Sequence, residues 1–265
     1  MNYVRAKKNL GQHFLKDLNI AKNIVDSLSG DNELVLEVGP GMGVLTDYLF
    51  NEKKYQTFII EIDTESIEYL QKKYPDNISR IILGDFLKMD INEFSGGKSI
   101  SVIGNFPYNI SSQIFFKVLE NKEVVSEVVG MLQKEVAERI ASGPGSKEYG
   151  ILSVLLQAFY TVEYLFTVHE YVFSPPPKVK SAVIRVKRND VTNLGCNEVL
   201  FKKVIKTSFN QRRKMLRNSL KPICPTNDWD HPFMEKRPEQ LSVKDFVELT
   251  NIIDSRQLFV KCSEI

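Results

Sequence analysis

Four short runs of apolar and β-branched residues constrain this 265-residue chain more than anything else in it. They are Leu34–Val38, Thr57–Asp63, Ile78–Leu83 and Ser99–Gly104. Runs this short and this uniformly apolar read as strands buried on both faces, as in a parallel sheet. Parallel neighbours need crossovers, and the stretches between the runs supply them. Val44–Phe50 and Thr64–Lys73 have helical spacing, and Asn109-Ile110-Ser111-Ser112 looks like a helix start with Asn or Ser as its cap. Strands alternating with helices predict an α/β fold, a doubly wound sheet. Ligands of such sheets bind beyond the carboxyl ends of the strands. The residues just past each run are therefore where chemistry is expected.

The first run enters Gly39-Pro40-Gly41-Met42-Gly43, a turn whose glycines let backbone approach a ligand closely. Its G-x-G-x-G spacing is not the G-x-G-x-x-G of dinucleotide sites, and Pro40 removes a donor that a pyrophosphate would use. A plain tight turn is the alternative. The second run ends in Glu61-Ile62-Asp63, about 20 residues past the glycine turn, where a carboxylate can accept both hydroxyls of a ribose. Glu61 is taken as that ligand, and Asp63 as the cap of the helix from Thr64. The third run ends in Gly84-Asp85-Phe86. Asp85 can accept from an adenine amino group with Phe86 beside the ring, or simply close an Asx-turn.

The fourth run ends in Asn105-Phe106-Pro107-Tyr108. An adenine amino group is a poor nucleophile because its lone pair is delocalised into the ring. The side-chain oxygen of Asn105 and a carbonyl of the turn can accept hydrogen bonds from that NH2 and draw the nitrogen toward a nucleophilic, pyramidal geometry. Pro107 fixes φ and so the direction of the carbonyl. Tyr108 can stack on the base, worth roughly 1–3 kcal/mol. A strand-ending turn with a core tyrosine is the bland alternative. Together the four strand ends describe a nucleoside pocket without a phosphate clamp, next to a second site for an amino group.

Outside these strands the chain divides. Residues 5–16 are basic and contain Leu10-Gly11-Gln12-His13-Phe14-Leu15, either a disordered tail or a segment folded over a ligand. Residues 18–28 have helical spacing, and Gly30 is a plausible stop. Helices are expected over 133–141 and 151–159, a mobile, RNA-facing loop at Gly143-Pro144-Gly145-Ser146, and strands over 161–168 and 181–186. The stiff Phe173-Ser174-Pro175-Pro176-Pro177-Lys178 segment could hold the Phe173 ring opposite Tyr108 and sandwich the target base. Core packing of Phe173 is the other reading. A polar linker at 188–197 separates a domain at 1–187 from a helical domain at 198–265, whose last amphipathic helix covers 241–253. In that domain Phe201, Val204, Ile205, Phe209, Leu216 and Leu220 form an apolar stripe. Opposite stand Lys206, Arg212, Arg213, Lys214 and Arg217 among further lysines. Like charges at helical spacing mildly destabilise a helix, so the cluster points to phosphate, with a solvated face as the alternative.

Net charge is only +2, so nucleic-acid binding must come from such a local patch. Cys196, Cys224 and Cys262 are far apart, which disfavours zinc and a disulfide framework and suits a reducing cytoplasm. The first residues lack a signal peptide's apolar region, and no apolar run is long enough to span a bilayer. Nothing demands a partner copy, and a monomer with no metal is expected.

The motifs KKNLGQHFL, EVGPGMGVLT, EID, GDF, NFPYNIS, LQKEVAERI, FSPPPKVKSAVIRV and FNQRRKMLRNSL occur in this order over nearly the whole chain. In this the sequence resembles the S-adenosylmethionine-dependent ribosomal RNA adenine dimethyltransferases, specifically the branch acting on the bacterial small subunit. The family usually has Leu where this chain has Phe106, and Asn stands at His13 in some relatives. The resemblance implies a Rossmann-like methyltransferase sheet with a small helical C-terminal domain. It implies S-adenosyl-L-methionine as cofactor, with Gln12, His13 and Leu15 closing over it and Gly39 and Gly41 in its turn. Glu61 would hold the ribose, Asp85 and Phe86 the adenine, and Asn105 would span cofactor and target. The implied substrate is two adjacent adenosines in a hairpin loop near the 3′ end of 16S ribosomal RNA, in an immature small subunit. A macrolide-resistance enzyme acting on 23S RNA, a NAD-dependent dehydrogenase and a non-catalytic assembly factor are the rivals. The PPPKV and QRRKMLRNSL runs count against the first, the glycine spacing and the NFPY turn against the second.

Overall fold

Leu34–Val38 (β2) is an interior strand of a seven-stranded sheet, flanked by parallel partners on both sides. The computed structural model describes residues 4–224 and 230–263, so 225–229 and 264–265 of the expected helical domain lie outside the described residues. Around β2 the chain runs through β1 (Phe14–Leu15), α1 (Leu18–Asp26), α2 (Thr46–Leu49), β3 (Gln56–Glu61), α3 (Thr64–Lys73), β4 (Ile81–Leu83) and α4 (Ile91–Ser95). It continues with β5 (Ile100–Asn105), α5 (Ser111–Glu120), β6 (Val125–Gln133), α6 (Lys134–Ala141), α7 (Ile151–Gln157), β7 (Tyr160–Val168), β8 (Phe173–Ser174) and β9 (Ser181–Arg188). The last part is helical: α8 (Glu198–Asn210), α9 (Leu216–Ser219) and α10 (Val243–Ser263).

The strand order is β4-β3-β2-β5-β6-β9-β7. β2 to β6 are parallel, and β9 runs antiparallel to β6. The order reverses between β2 and β5, because β3 and β4 lie to one side of β2 while β5 and β6 lie to the other. That reversal opens a crevice at the carboxyl ends of β2 and β5. Every residue of β2 is buried, Glu37 included, as in a strand covered on both faces.

Capping explains where the helices begin. Asp17 accepts from the backbone N–H groups of Asn19 and Ile20 at the start of α1. Asp63 does the same for Glu65 at the start of α3, as the sequence had implied, and Asn197 for Val199 and Leu200 at the start of α8.

Several boundaries differ from the sequence reading. The third run is a 3-10 turn over Pro75–Arg80 before β4, because Pro75 starts a helical turn rather than a strand. The second strand stops at Glu61, which frees Ile62 and Asp63 for the turn and the cap. Residues 5–16 are ordered: Lys8–Leu10 form a 3-10 turn, and Phe14 and Leu15 pair with Ser174 and Phe173. β6 is absent from the sequence reading, although it is paired along its length, with β5 on one side and β9 on the other.

By contacts the chain forms two compact units. One comprises residues 1–138 and 161–188, and contains both sheets. The other comprises 139–160 and 189–265. In the second unit the stripe Phe201, Val204, Ile205, Phe209, Leu216 and Leu220 is buried throughout. The Phe209 ring meets Tyr149 and Phe246 at 6.2 and 6.0 Å between centroids. Among the described residues no helix is long and apolar enough to cross a membrane.

Candidate active site

One cavity in the first unit gathers the ends of β2, β3, β4 and β5 with the N-terminal segment. Of the residues singled out in the sequence, Gln12, His13, Leu15, Gly39, Gly41, Glu61, Asp85, Asn105, Pro107 and Tyr108 all line it.

The glycine turn is tied to β3. Gly41 has φ 56° and its N–H donates to Glu61 Oε2 at 3.2 Å. A Cβ on Gly41 would come within 2.9 Å of the Phe14 ring, so both the conformation and the space call for glycine. Glu61 Oε1 accepts from the N–H groups of Ile62 and Asp63 at 2.9 and 3.0 Å. Burial pushes the Glu61 carboxyl above its usual range, against the pull of these three backbone donors. Each carboxylate oxygen keeps lone-pair capacity for a further donor. Glu37, at the penultimate position of β2, is also buried on the cavity wall and accepts from Thr46 Oγ1 at 2.6 Å. Burial pushes its carboxyl up to about 8.

Asp85 closes the Asx-turn that the bland reading offered, with Leu87 N–H donating to its Oδ1 at 3.0 Å, and it lines the cavity as well. The two readings are compatible because a carboxylate has two oxygens.

Asn105, the last residue of β5, lines the cavity. Its Nδ2 donates to the carbonyl oxygen of His13 at 2.9 Å. A carbonyl can only accept, so this contact fixes which end of the carboxamide is nitrogen and leaves Oδ1 as the acceptor. Tyr108 is held by a hydrogen bond between its hydroxyl and Ser181 Oγ at 2.5 Å. Burial moves the Tyr108 hydroxyl up, so the phenol stays neutral at physiological pH. The His13 ring lies 5.3 Å from the Tyr108 ring, tilted by 31°, and its Nδ1 is 2.8 Å from the Pro175 carbonyl.

Two aromatic expectations are corrected. Phe173 is only 1% exposed and belongs to the core cluster around Leu15, Ile24 and Val35; it does not line the cavity. Its backbone pairs with Leu15, so the proline segment fixes Phe173 as a wall of the core and not as a second stacking surface. Phe86 is likewise buried at 4%, and the cavity is lined by Leu87 one position later.

The cavity also contains residues the sequence did not single out. Ile62 is 52% exposed on the wall just after Glu61, and Met42, Val44 and Leu87 add apolar surface. An isoleucine set between the two acids Glu61 and Asp63 at a strand end was the available signal. Apolar walls with a few convergent polar groups suit a purine and its sugar.

The basic residues lie in the second unit. Arg213, Lys214, Arg217 and Lys206 are exposed. Arg212 is turned inward: its Nη2 donates to the Ser146 carbonyl at 3.2 Å and its Nε is 3.9 Å from Glu239. In the largely exposed 143–146 loop, Gly145 N–H donates to the Glu239 carbonyl at 2.6 Å. Arg217 pairs with Glu235 at 2.7 Å, an exposed pair of small energetic weight.

Comparison with known proteins gives a consistent result. The family described as Ribosomal RNA adenine dimethylase matches residues 3–255. The chain is similar to the Ribosomal RNA small subunit methyltransferase A of Parabacteroides distasonis, 61% identical over 257 residues, 95% of this chain and 95% of that one. It is 59% identical over 259 residues to the protein of the same name from Bacteroides thetaiotaomicron, 96% of each chain. Among solved structures it is similar to a dimethyladenosine transferase from Plasmodium falciparum, with a TM-score of 0.76 and 25% identity, over 92% of this chain and 98% of that one.

Proposed function

The chain belongs to the ribosomal RNA adenine dimethylase family, and from that premise we propose that it methylates adenosines of small-subunit ribosomal RNA. The donor is S-adenosyl-L-methionine, and the acceptors are the N6 amino groups of two adjacent adenosines in a hairpin loop near the 3′ end of 16S RNA. The setting is an immature small subunit in the cytoplasm, with the enzyme as a monomer. The unit of residues 1–138 and 161–188 carries the transfer, and the unit that joins 139–160 to 189–265, rather than 198–265 alone, binds RNA. The observation that carries the reading is the meeting of Glu61, Asp85, the glycine turn and Asn105 in one cavity.

The residues present fit the donor's chemistry. Glu61 offers acceptor capacity for ribose hydroxyls, Asp85 an acceptor for an adenine amino group, and Ile62 and Leu87 apolar walls for the ring. When bound, the donor supplies a methyl on a sulfonium, an electrophile that needs no metal activation.

The protein then has one task, which is to present the amine. A target base leaves its stack at a cost of a few kcal/mol, least from a loop. Tyr108, anchored by Ser181, gives it a fixed stacking face that offsets part of this cost. Asn105 Oδ1 and a carbonyl of the turn accept from the N6 amino group and set its direction. The His13 carbonyl keeps the carboxamide from rotating. Catalysis is then largely proximity and orientation. The amine becomes acidic once methylated, so water can take its proton.

Exposed Lys206, Arg213, Lys214 and Arg217 are assigned to the RNA backbone, and Arg212 to the fold of their surroundings. Incubating the protein with 16S RNA or precursor particles and labelled donor, then mapping N6,N6-dimethyladenosine by mass analysis, tests the reading. Absence of transfer to both substrates would overturn it in favour of a non-catalytic assembly role.

A further inference from the structure

Asp63 is buried, and its carboxylate accepts from four groups. Two belong to the helix it caps, Glu65 N–H at 3.2 Å and Ser66 Oγ at 3.1 Å. The other two come from the N-terminal segment, Lys7 Nζ at 2.6 Å and Gln12 Nε2 at 3.3 Å. Gln12 Oε1 in turn accepts from the Lys7 N–H at 2.9 Å, so both residues are bound to each other and to Asp63. The far side of the segment is held at the other strand end. Gly11, at φ 64°, packs so closely on Asn109 that a Cβ would lie 2.7 Å from its side-chain oxygen. His13 supplies the carbonyl that Asn105 donates to. Between these anchors Leu10 to Leu15 form one wall of the cavity.

A helix cap needs neither an ammonium nor an amide from 56 and 51 residues away. We infer that Lys7 and Asp63 form a positioning latch that keeps the N-terminal segment closed over the methyl donor and, through His13, keeps the Asn105 carboxamide in register. The inference rests on the cofactor reading above. Lys7 does not touch the reacting atoms; it acts through the segment it holds. Its second neighbour, Glu65 at 3.3 Å, is exposed and adds little. Asp63 is the partner that fixes the geometry, and Lys7 is its only cationic donor among the described contacts; without Lys7 the carboxylate still accepts from Gln12, Glu65 and Ser66, so the segment is released while the cap persists.

The test uses the full chain with Lys7→Met, Lys7→Arg and Asp63→Asn. Stopped-flow measurement of S-adenosylhomocysteine dissociation is read alongside Tm and the KM for S-adenosylmethionine. Lys7→Met is expected to speed dissociation about tenfold and to raise KM similarly, with Tm within about 2 °C of the parent. Lys7→Arg keeps charge and reach and restores most of the affinity, while Asp63→Asn reproduces the Lys7→Met defect. An unchanged dissociation rate in Lys7→Met overturns the latch. So does a loss of affinity matched by a large fall in Tm, which assigns the pair to global stability. Failure of the parent protein to bind S-adenosylhomocysteine would instead overturn the cofactor reading.

Discussion

The side-chain nitrogen of Asn105 is bonded to the backbone oxygen of His13 at 2.9 Å, so the carboxamide at the end of β5 is oriented by a segment 92 residues earlier in the chain. Asn105→Asp keeps an acceptor but loses the donor, and places a carboxylate against a carbonyl. Methyl transfer is expected to fall at least about a hundredfold, as for loss of an oriented polar group at a reacting centre. Asn105→Ala should lose as much. Single-turnover transfer at saturating RNA measures it, and S-adenosylhomocysteine binding within a few-fold of the parent shows that the cavity persists.

After the first transfer only one N–H is left on N6, so two acceptors cannot both be satisfied. The monomethylated base must be held more by stacking than by hydrogen bonds. Tyr108→Ala is therefore expected to harm the second methylation at least as much as the first. Mass analysis of the product would show a raised ratio of mono- to dimethyladenosine. An unchanged ratio removes Tyr108 from the second step.

Arg212 and Arg213 are adjacent yet face different tasks. Changing Arg213, Lys214 and Arg217 together to Ala is expected to weaken RNA binding and flatten its salt dependence, by about 0.7 in slope per lost contact to a single strand. Cofactor binding should not change. Arg212→Ala should leave the slope alone and lower stability by roughly 1–3 kcal/mol, because Ser146 and Glu239 lose a charged partner. Filter binding across a salt series and urea denaturation separate the two effects.

Glu37 gives a pH-dependent prediction. Its carboxyl is pushed by burial from 4.5 up to about 8, against the hydrogen bond from Thr46. The folded protein thus keeps a proton that the unfolded chain has already lost above the ordinary carboxylate range. This contribution to stability is complete at low pH and is lost as pH rises toward about 8. Glu37→Gln cannot titrate. Relative to the parent it should be about equally stable at pH 4 and more stable by roughly 4 kcal/mol at pH 8, at about 1.4 kcal/mol per pKa unit. Denaturation at both pH values checks the sign.

The strand ends were legible because parallel strands buried on both faces leave a uniform apolar signature, and the polar residue that breaks each run must lie at its end. Hence Glu61, Asp85 and Asn105 could be picked out in the sequence, and all three line one cavity. β6 escaped notice because it runs into α6 without a turn between Gln133 and Lys134, so no glycine or proline marks the change of period. Phe173 and Phe86 were misplaced because an aromatic side chain suits a core and a binding face equally. Burial decides between them, and burial depends on partners such as Leu15 that are distant in sequence. Arg212 shows the same limit for charge, since its partner Glu239 lies 27 positions later in the chain.

Phe106 stands where the family usually has Leu, and the structure shows what the larger ring requires. It is 1% exposed, meets Phe115 edge-on at 6.0 Å, and lies against the neighbouring strand at Gly130. A Cβ at Gly130 would fall 2.3 Å from Phe106 Cε2, and one at Gly104 would fall 3.0 Å from Cε1. The ring fills the space that Gly130 leaves, and it belongs to the turn that carries Asn105 and Tyr108; at Gly104 the Val38 carbonyl, 2.4 Å from an added Cβ, is the closer neighbour. Gly130→Ala should therefore force the ring aside and cost about 1–3 kcal/mol by overpacking, with a fall in the rate of methyl transfer as the turn shifts. Phe106→Leu alone should cost stability by underfilling the slot. In the double variant the smaller side chain makes room for the new methyl, so stability and rate should exceed those of Gly130→Ala. A double-mutant cycle in stability and single-turnover rate measures this coupling, and strictly additive effects would show that the ring and the glycine are independent.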